Sequence, residues 1–138
     1  MDVEIFALCD AATDSAGKLN ILGAFDKIGA QKLPAVYPRC SVALRVRFDR
    51  IEQGTHRIKI NVVEADGQPI MPAFDNEINV SFPGEVQSLC ANLVLQINGL
   101  KFEKLGSYAI DLAIDGRHEK SLPVYVLKVK GKKPPSEA

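Results

Sequence analysis

Apolar and polar residues alternate along most of this chain, and the alternation predicts strands. In residues 106–114 every second side chain is large and apolar, namely Tyr108, Ile110, Leu112 and Ile114. A period of two indicates a strand with one buried face. Asp115 and Gly116, which tolerate a positive φ, follow at once, and a second apolar row returns over residues 122–126. Residues 106–129 are therefore predicted to form a β-hairpin.

The length of the turn decides which side chains face each other across this hairpin. A three-residue turn, residues 115–117, sets Ile110 opposite Leu122 and Tyr108 opposite Val124. A two-residue turn would set a serine and a proline opposite the same two residues. Because a slip of one residue moves a whole row to the other face, we predict the bulged three-residue turn.

Tyr108 also stands where a tyrosine corner would begin, just after a loop and at the start of a strand. In such a corner the phenol forms a hydrogen bond back to the backbone of the preceding loop, and the feature recurs in immunoglobulin-like sandwiches. The pattern fits equally well a tyrosine that only packs in the core.

Eight segments in all follow the strand pattern, separated by turn-forming residues. They are residues 3–12, 18–30, 40–50, 55–65, 76–82, 88–98, 106–114 and 118–129. Strands at this spacing predict an all-β fold, specifically an immunoglobulin-like antiparallel β-sandwich of about seven to nine strands with Greek-key connections. We expect one domain over residues 1–129 and a flexible tail, rich in lysine and proline, over residues 130–138.

Charge and cysteine content indicate which partners and which kinds of site are unfavourable for this protein. The chain has 138 residues, with 17 lysines and arginines against 17 aspartates and glutamates. This balance argues against nucleic acid or an anionic membrane as a partner. An acidic start and the lack of a long apolar run predict a cytoplasmic protein without a membrane segment. The three cysteines are widely spaced and are expected to be buried hydrophobic residues rather than disulfide or zinc ligands.

The sequence shows no recognisable catalytic motif. His56 and His118 each lie beside a predicted turn, with no histidine or cysteine at metal-ligand spacing. Asp10, Asp14 and Asp26 cluster near the first turn, but their spacing matches no known calcium loop. Asp10 and Asp14 are explained as turn-formers and strand-end charges. We therefore predict no metal, no cofactor and no enzymatic activity. An enzyme stays the third alternative, and it would need a pocket in which these side chains converge.

Basic residues are predicted to share one outward face. If the third and fourth strands form a hairpin that pairs Phe48 with Ile58, then Arg47 lies opposite Lys59. Like charges that face each other cost about 0.2–1 kcal/mol, which a bound anion could offset. An anion- or small-ligand-binding domain is therefore the alternative function, with a site made of Arg45, Arg47, Arg57 and Lys59. A solvated face explains the same residues.

The first two strands are apolar on both faces, which is unusual for a sheet with one side in water. The apolar residues in question are Val3, Ile5, Phe6, Leu8, Leu19, Ile21, Leu22 and Phe25. Either the chain itself covers both faces or a second subunit does. We therefore predict a noncatalytic interaction module, with these residues as the interface to a protein partner or within a homo-oligomer.

Two stretches near the start of the chain resemble the opening of a known family. They are Leu8-Cys9-Asp10 and Gly17-Lys18-Leu19-Asn20-Ile21-Leu22-Gly23, the latter followed by Phe25-Asp26. The family consists of small uncharacterised bacterial proteins and is known as a domain of unknown function. The likeness continues through residues 33–35, 44–48, 111–116 and 122–123. It implies a bacterial, cytoplasmic, β-rich protein, and it supplies no reaction, cofactor or site.

Overall fold

The computed structural model describes residues 1–130, and these residues form nine strands and one short 3-10 helix. The strands are β1 (Asp2–Ser15), β2 (Lys18–Ala24), β3 (Lys27–Ala30), β4 (Ala35–Asp49), β5 (Gly54–Glu64), β6 (Phe74–Val80), β7 (Ser88–Phe102), β8 (Gly106–Ile114) and β9 (Arg117–Lys128). The helix, Arg50–Glu52, follows β4. The all-β class is confirmed. The tail predicted for residues 130–138 lies, from residue 131 onwards, outside the described residues.

The strands form two sheets. The four-stranded sheet has the order β2-β1-β4-β7 and is antiparallel throughout, and the five-stranded sheet has the order β3-β9-β8-β5-β6. The prediction of purely antiparallel pairing is wrong for the second sheet, because β3 runs parallel to β9. The predicted strand over residues 18–30 divides into β2 and β3, which belong to different sheets. The immunoglobulin-like Greek key stays a prediction.

The hydrophobic core fills the space between the two sheets, and alternation places it there. In β4 the even-numbered residues from Cys40 to Phe48 are buried in the core. The second sheet supplies alternate residues of β5 and β8, namely Ile58, Ile60, Val62, Tyr108, Ile110, Leu112 and Ile114. Burying one large aliphatic or aromatic side chain contributes about 1.5–3 kcal/mol, so these rows fix which face of each strand points inward.

The β8–β9 hairpin confirms the predicted register, but the predicted three-residue turn is wrong. Ile110 pairs with Leu122, and Tyr108 pairs with Val124. The turn itself has two residues, since Ile114 pairs with Arg117, and the register shifts instead between Leu112 and Ala113. Asp115 and Gly116 have φ values of 54° and 82°, as a tight hairpin turn of this type requires.

The tyrosine corner is also present. The Tyr108 hydroxyl donates a hydrogen bond to the carbonyl oxygen of Lys104 at 2.7 Å and accepts one from the Lys104 amide at 3.3 Å. The ring is buried and packs edge-on against Phe102 at 4.8 Å between centroids. Tyr108 therefore serves both as a corner and as a core aromatic residue.

The β1–β2 hairpin bends back over its own sheet. Beyond Cys9 it pairs with no strand other than its own two, and we call residues 10–24 the arm. The Asn92 amide on β7 donates to the Gly17 carbonyl at 3.1 Å and to the Asp14 carboxylate at 3.4 Å, both at the tip of the arm. Because Asn92 is two strands away from β1, the arm must cross the outer face of the sheet. Ala43 and Ser41 are buried there.

Candidate interaction surface

Arg45 and Arg47 lie on the outer face of β4, where Glu4 holds them both. The distance from Arg45 Nε to Glu4 Oε1 is 3.1 Å, and that from Arg47 Nε to Glu4 Oε2 is 2.6 Å. Arg45 also donates to Asn92 at 3.0 Å, and Arg47 donates to Ser88 at 2.9 Å. The hydrogen bonds from Arg47, from the Cys90 thiol and from Arg45 lower the pKa of Glu4 to about 2.

Arg57 and Lys59 lie in the other sheet, so the predicted pairing of β4 with β5 is wrong. β4 pairs with β1 and β7, whereas β5 pairs with β6 and β8. The 3-10 helix between them carries the chain from one sheet to the other. Arg57 Nε lies 2.7 Å from Asp75 Oδ1. Lys59 lies directly opposite Asp75 in the register of β5 with β6. The four basic residues therefore do not share one face, and the geometry from which the anion site was predicted is absent.

The predicted titratable residues each have a separate structural partner. Asp10 accepts a hydrogen bond from the Tyr37 hydroxyl at 2.7 Å, and Asp26 contacts Lys27 at 3.3 Å. His56 contacts Asp115, and His118 contacts Ser121. Within residues 1–130 no group of three or more histidine, cysteine or acidic side chains could hold a metal ion. The same residues include no helix that is long and apolar enough to cross a membrane.

The residues predicted as an interface divide into three groups. Phe6 and Leu8 are buried in the core of their own chain, which corrects their placement in an interface. Val3 and Phe25 pack against that core, and Ile5 and Leu19 are half-buried. Ile21 and Leu22 are exposed, the latter at 70% of its surface.

One long side of the sandwich is closed by the chain itself. Here residues 25 and 26 cross from β2 to β3. The Phe25 amide donates to the Leu8 carbonyl at 3.0 Å, and the Tyr125 amide donates to the Asp26 carbonyl at 2.8 Å. A cavity of about 380 Å³ that is lined by Phe6, Leu8 and Phe25 lies at this crossing. The crossing therefore ties the two sheets together by backbone hydrogen bonds.

The opposite side of the sandwich is bordered by two strand edges, those of β6 and β7. Each is the last strand of its sheet. β7 is 15 residues long and pairs with β4 from Ser88 to Phe102, and no other strand of residues 1–130 pairs with it. Its outer edge therefore presents backbone amides and carbonyls over a length that few edge strands expose.

A groove, here called the β6–β7 groove, separates these two edges. It encloses about 320 Å³, its walls include Ile78 of β6 and Leu89 and Leu93 of β7, and its floor includes Leu44 and Ile58. A second cavity of about 280 Å³ continues it between residues 70–72 and residues 95–101 of β7. The inward-facing residues of β7 along the groove are only half-buried, namely Leu89, Ala91, Leu93 and Leu95.

β7 also lacks the usual protection of an edge strand. Residues 88–100 include no charged residue and no proline. Natural edge strands are normally guarded by charges, prolines or short length. By contrast, β6 carries Asp75 and Glu77, and β3 has four residues. The exposed backbone, the half-buried apolar row and the absence of charge coincide on β7, which makes it the candidate interaction surface.

The comparison with known families agrees with the resemblance seen in the sequence. The model of a family of unknown function, DUF6941, matches residues 4–127. The chain belongs to this family. A search of curated proteins finds no match to the chain. The matched residues of DUF6941 include β6, β7 and the groove between them, so this surface lies within the family domain.

Sequence reasoning missed this surface, although it predicted a strand over residues 88–98. Whether a strand lies inside a sheet or at its end depends on pairing with distant segments. One signal was available: residues 88–100 are uncharged, while most other predicted strands carry charges. An uncharged strand is typical of a sheet interior, and here that strand is found at the edge.

Proposed function

We propose that this protein is a noncatalytic interaction module that binds another protein chain by strand addition along β7. In strand addition an extended segment pairs with the free backbone of an edge strand, and its alternate side chains enter neighbouring pockets. The observation that carries the proposal is the open edge of β7, which is long, uncharged from residue 88 to residue 100 and bordered by an apolar groove.

Both parts of a strand-addition site are present along β7. The outer edge supplies hydrogen-bond donors and acceptors, and the half-buried residues Leu89, Leu93 and Leu95 supply apolar contacts for an incoming side chain. Each further buried apolar side chain would contribute about 1.5–3 kcal/mol before the cost of ordering the partner is subtracted. An edge of this kind without a partner would favour unspecific association.

The alternative functions have weaker support. An anion site would have to use Arg45 and Arg47 while Glu4 already holds them, or Arg57 while Asp75 holds it.

We propose a cytoplasmic location, supported by the free state of all three cysteines, and we propose that neither a cofactor nor nucleic acid is needed. The finer proposal of an immunoglobulin-like sandwich is supported by the corner at Tyr108.

A labelled peptide tests the proposal directly. The probe copies residues 88–101, with serine in place of the cysteine and with flanking lysines for solubility, and its binding is followed by fluorescence anisotropy. We expect saturable binding to the protein. The double substitution Gln96→Lys/Asn98→Lys, at two exposed β7 positions, should weaken binding about tenfold, because charges on an edge strand oppose pairing.

Two controls decide the interpretation. Gln31→Lys/Ser107→Lys makes the same change in net charge at exposed positions outside β7 and should leave the affinity unchanged. A peptide with the same residues in scrambled order should not bind. Equal binding of the scrambled peptide, or equal weakening by both lysine pairs, would refute strand addition at β7.

A further inference from the structure

We propose that the chain bound by β7 is the β7 strand of a second copy, antiparallel to the first, with a twofold axis at Leu93. This inference rests on the proposed function and names its partner. The two four-stranded sheets would then join edge to edge into one eight-stranded sheet, with the order β2-β1-β4-β7 on either side of the axis.

The inward row of β7 is self-complementary about Leu93. In this antiparallel register Leu93 faces Leu93 of the second copy, Ala91 faces Leu95, and Leu89 faces Ile97. Every inward position from Leu89 to Ile97 therefore meets another apolar side chain. Directly opposed residues are the pairs that stabilise a sheet, so this match favours the register. These residues line the two cavities beside β7, and all of them except the buried Ile97 are half-buried.

Neighbouring registers lose this match. If the axis moved to Asn92, Ile97 would face Gln87 of the second copy. If the axis moved to Val94, Leu89 would face Gly99. In both cases an apolar side chain would lie opposite a polar residue or a residue without a side chain. The axis at Leu93 is therefore favoured over the registers on either side of it.

The charges that flank β7 are also complementary in this register. Glu85 precedes the strand and Lys101 lies near its end, and both are exposed. The axis at Leu93 brings the end of β7 that carries Lys101 near the turn before β7 of the second copy, which carries Glu85, so the first charges beyond the uncharged segment are of opposite sign. On the outward face the pairs are polar or small, for example Cys90 opposite Gln96.

A twofold contact also explains how so open an edge can avoid continued growth. The interface uses the same surface of both copies, so each β7 edge is occupied once and the assembly closes as a dimer. A head-to-tail contact between two different edges would leave one edge free and could extend indefinitely. Closure at two copies is therefore part of the proposal.

Cross-linking tests the register. Cys90 is half-buried on β7, whereas Cys9 and Cys40 are buried. The substitution Gln96→Cys places a new thiol opposite Cys90 of the second copy. At alkaline pH oxidised glutathione should accept the two electrons and two protons as one disulfide forms between the copies, giving a covalent dimer on a non-reducing gel. The alkaline pH is needed because burial and the contact with Glu4 raise the pKa of Cys90.

Two variants control for the position of the thiol. Gln96→Cys combined with Cys90→Ser should give no covalent dimer, since the new thiols of the two copies would be far from each other across the axis. Asn98→Cys lies opposite Ser88 rather than Cys90 and should cross-link about tenfold more slowly. Equal cross-linking of Asn98→Cys, or cross-linking of Gln96→Cys in the absence of Cys90, would overturn the axis at Leu93.

The mass in solution tests the partner. Sedimentation equilibrium of the full chain should give a dimer. Lys101→Glu should weaken it severalfold, and adding Glu85→Lys should restore it. A monomer at every concentration would overturn the second copy as partner, while binding of the labelled β7 peptide would still uphold the proposed function. A dimer unaffected by Gln96→Lys/Asn98→Lys would place the contact elsewhere, and it would overturn this inference.

Discussion

His56 and Asp115 meet at the start of β5, with 2.6 Å between His56 Nδ1 and Asp115 Oδ2. The other ring nitrogen, Nε2, lies 2.6 Å from the carbonyl oxygen of Glu52. Only a protonated imidazole can donate from both nitrogens, so this arrangement favours the charged ring. Burial lowers the pKa of His56, but the hydrogen bonds with Asp115 and with Glu52 outweigh it and raise the pKa above its usual value.

The raised pKa of His56 predicts a loss of stability with rising pH. For a group whose pKa is higher in the folded state, the stabilisation is complete below the unfolded pKa, about 6.5 for histidine. It is then lost as the pH rises through the folded pKa. We expect the free energy of unfolding to fall over this interval, measured by urea unfolding at a series of pH values.

Substitution of each histidine separates this effect from other titrations. His56→Gln should remove most of the pH dependence between the two pKa values. His118→Gln changes an exposed histidine and should preserve that dependence. Parallel curves for the wild-type protein and His56→Gln would contradict the assignment.

The Tyr108 corner predicts a measurable contribution from one hydroxyl group. Tyr108→Phe removes the 2.7 Å hydrogen bond to Lys104 while it keeps the ring beside Phe102. Because the Lys104 carbonyl then loses a donor, we expect the free energy of unfolding to fall by about 1–2 kcal/mol. Tyr125→Phe on β9 is the matched control and should change the free energy of unfolding by less than about 0.5 kcal/mol. Equal effects of the two substitutions would refute the role of the corner.

The β8–β9 register could be predicted because the information is local. The two strands are adjacent in sequence, and one register aligns Ile110 with Leu122 and Tyr108 with Val124. The exact place of the bulge could not be predicted, since a bulge within the strand and a longer turn produce the same alignment of these rows. The apolar pattern alone does not distinguish the two backbones.

The β4–β5 pairing could not be predicted because it depends on distant strands. Residues 50–53 have the length of a hairpin loop, but they include the short helix Arg50–Glu52 and lead to the other sheet. β4 pairs instead with β1 and β7, and each of its paired residues lies more than 30 positions away in the sequence. The candidate surface on β7 was missed for the same reason. A strand is an edge strand when no strand pairs with its second side, and that depends on distant segments of the chain.

The bend of the arm at Gly23 predicts a strong effect of a single methyl group. Gly23 has φ +71°, and a Cβ there would lie 2.9 Å from Asp10 Oδ2. Asp10 is itself held by Tyr37, which limits its movement. We expect Gly23→Ala to lower the free energy of unfolding by about 1–3 kcal/mol, measured by urea unfolding.

Gly17 at the tip of the arm is the matched control. It has φ +79°, and a Cβ there would meet no atom within 4 Å other than those of its own chain neighbours. Gly17→Ala therefore adds only the backbone cost of a left-handed conformation, about 1 kcal/mol. If both substitutions had the same effect, the close approach to Asp10 would not matter to the bend.

Glu4 predicts the opposite pH dependence to that of His56. Its pKa is lowered to about 2 by Arg47 first and by the Cys90 thiol and Arg45 as well. The stabilisation is therefore present above the unfolded pKa, about 4.3 for glutamate, and is lost as the pH falls towards the folded value. Glu4→Gln should lower stability at neutral pH, and its difference from the wild-type protein should shrink below about pH 4.3.

A second acidic residue tests whether the stability lost in Glu4→Gln comes from the contacts of Glu4 with the two arginines or only from its negative charge. Glu77 lies 3.9 Å from Arg57 and is well exposed, with 63% of its side chain accessible, whereas Glu4 bridges two arginines across β1 and β4. Glu77→Gln should therefore change the free energy of unfolding less than Glu4→Gln at neutral pH, because exposed ion pairs contribute little. Equal losses, each removed by high salt, would mean that Glu4 acts only through long-range charge and does not join the two strands.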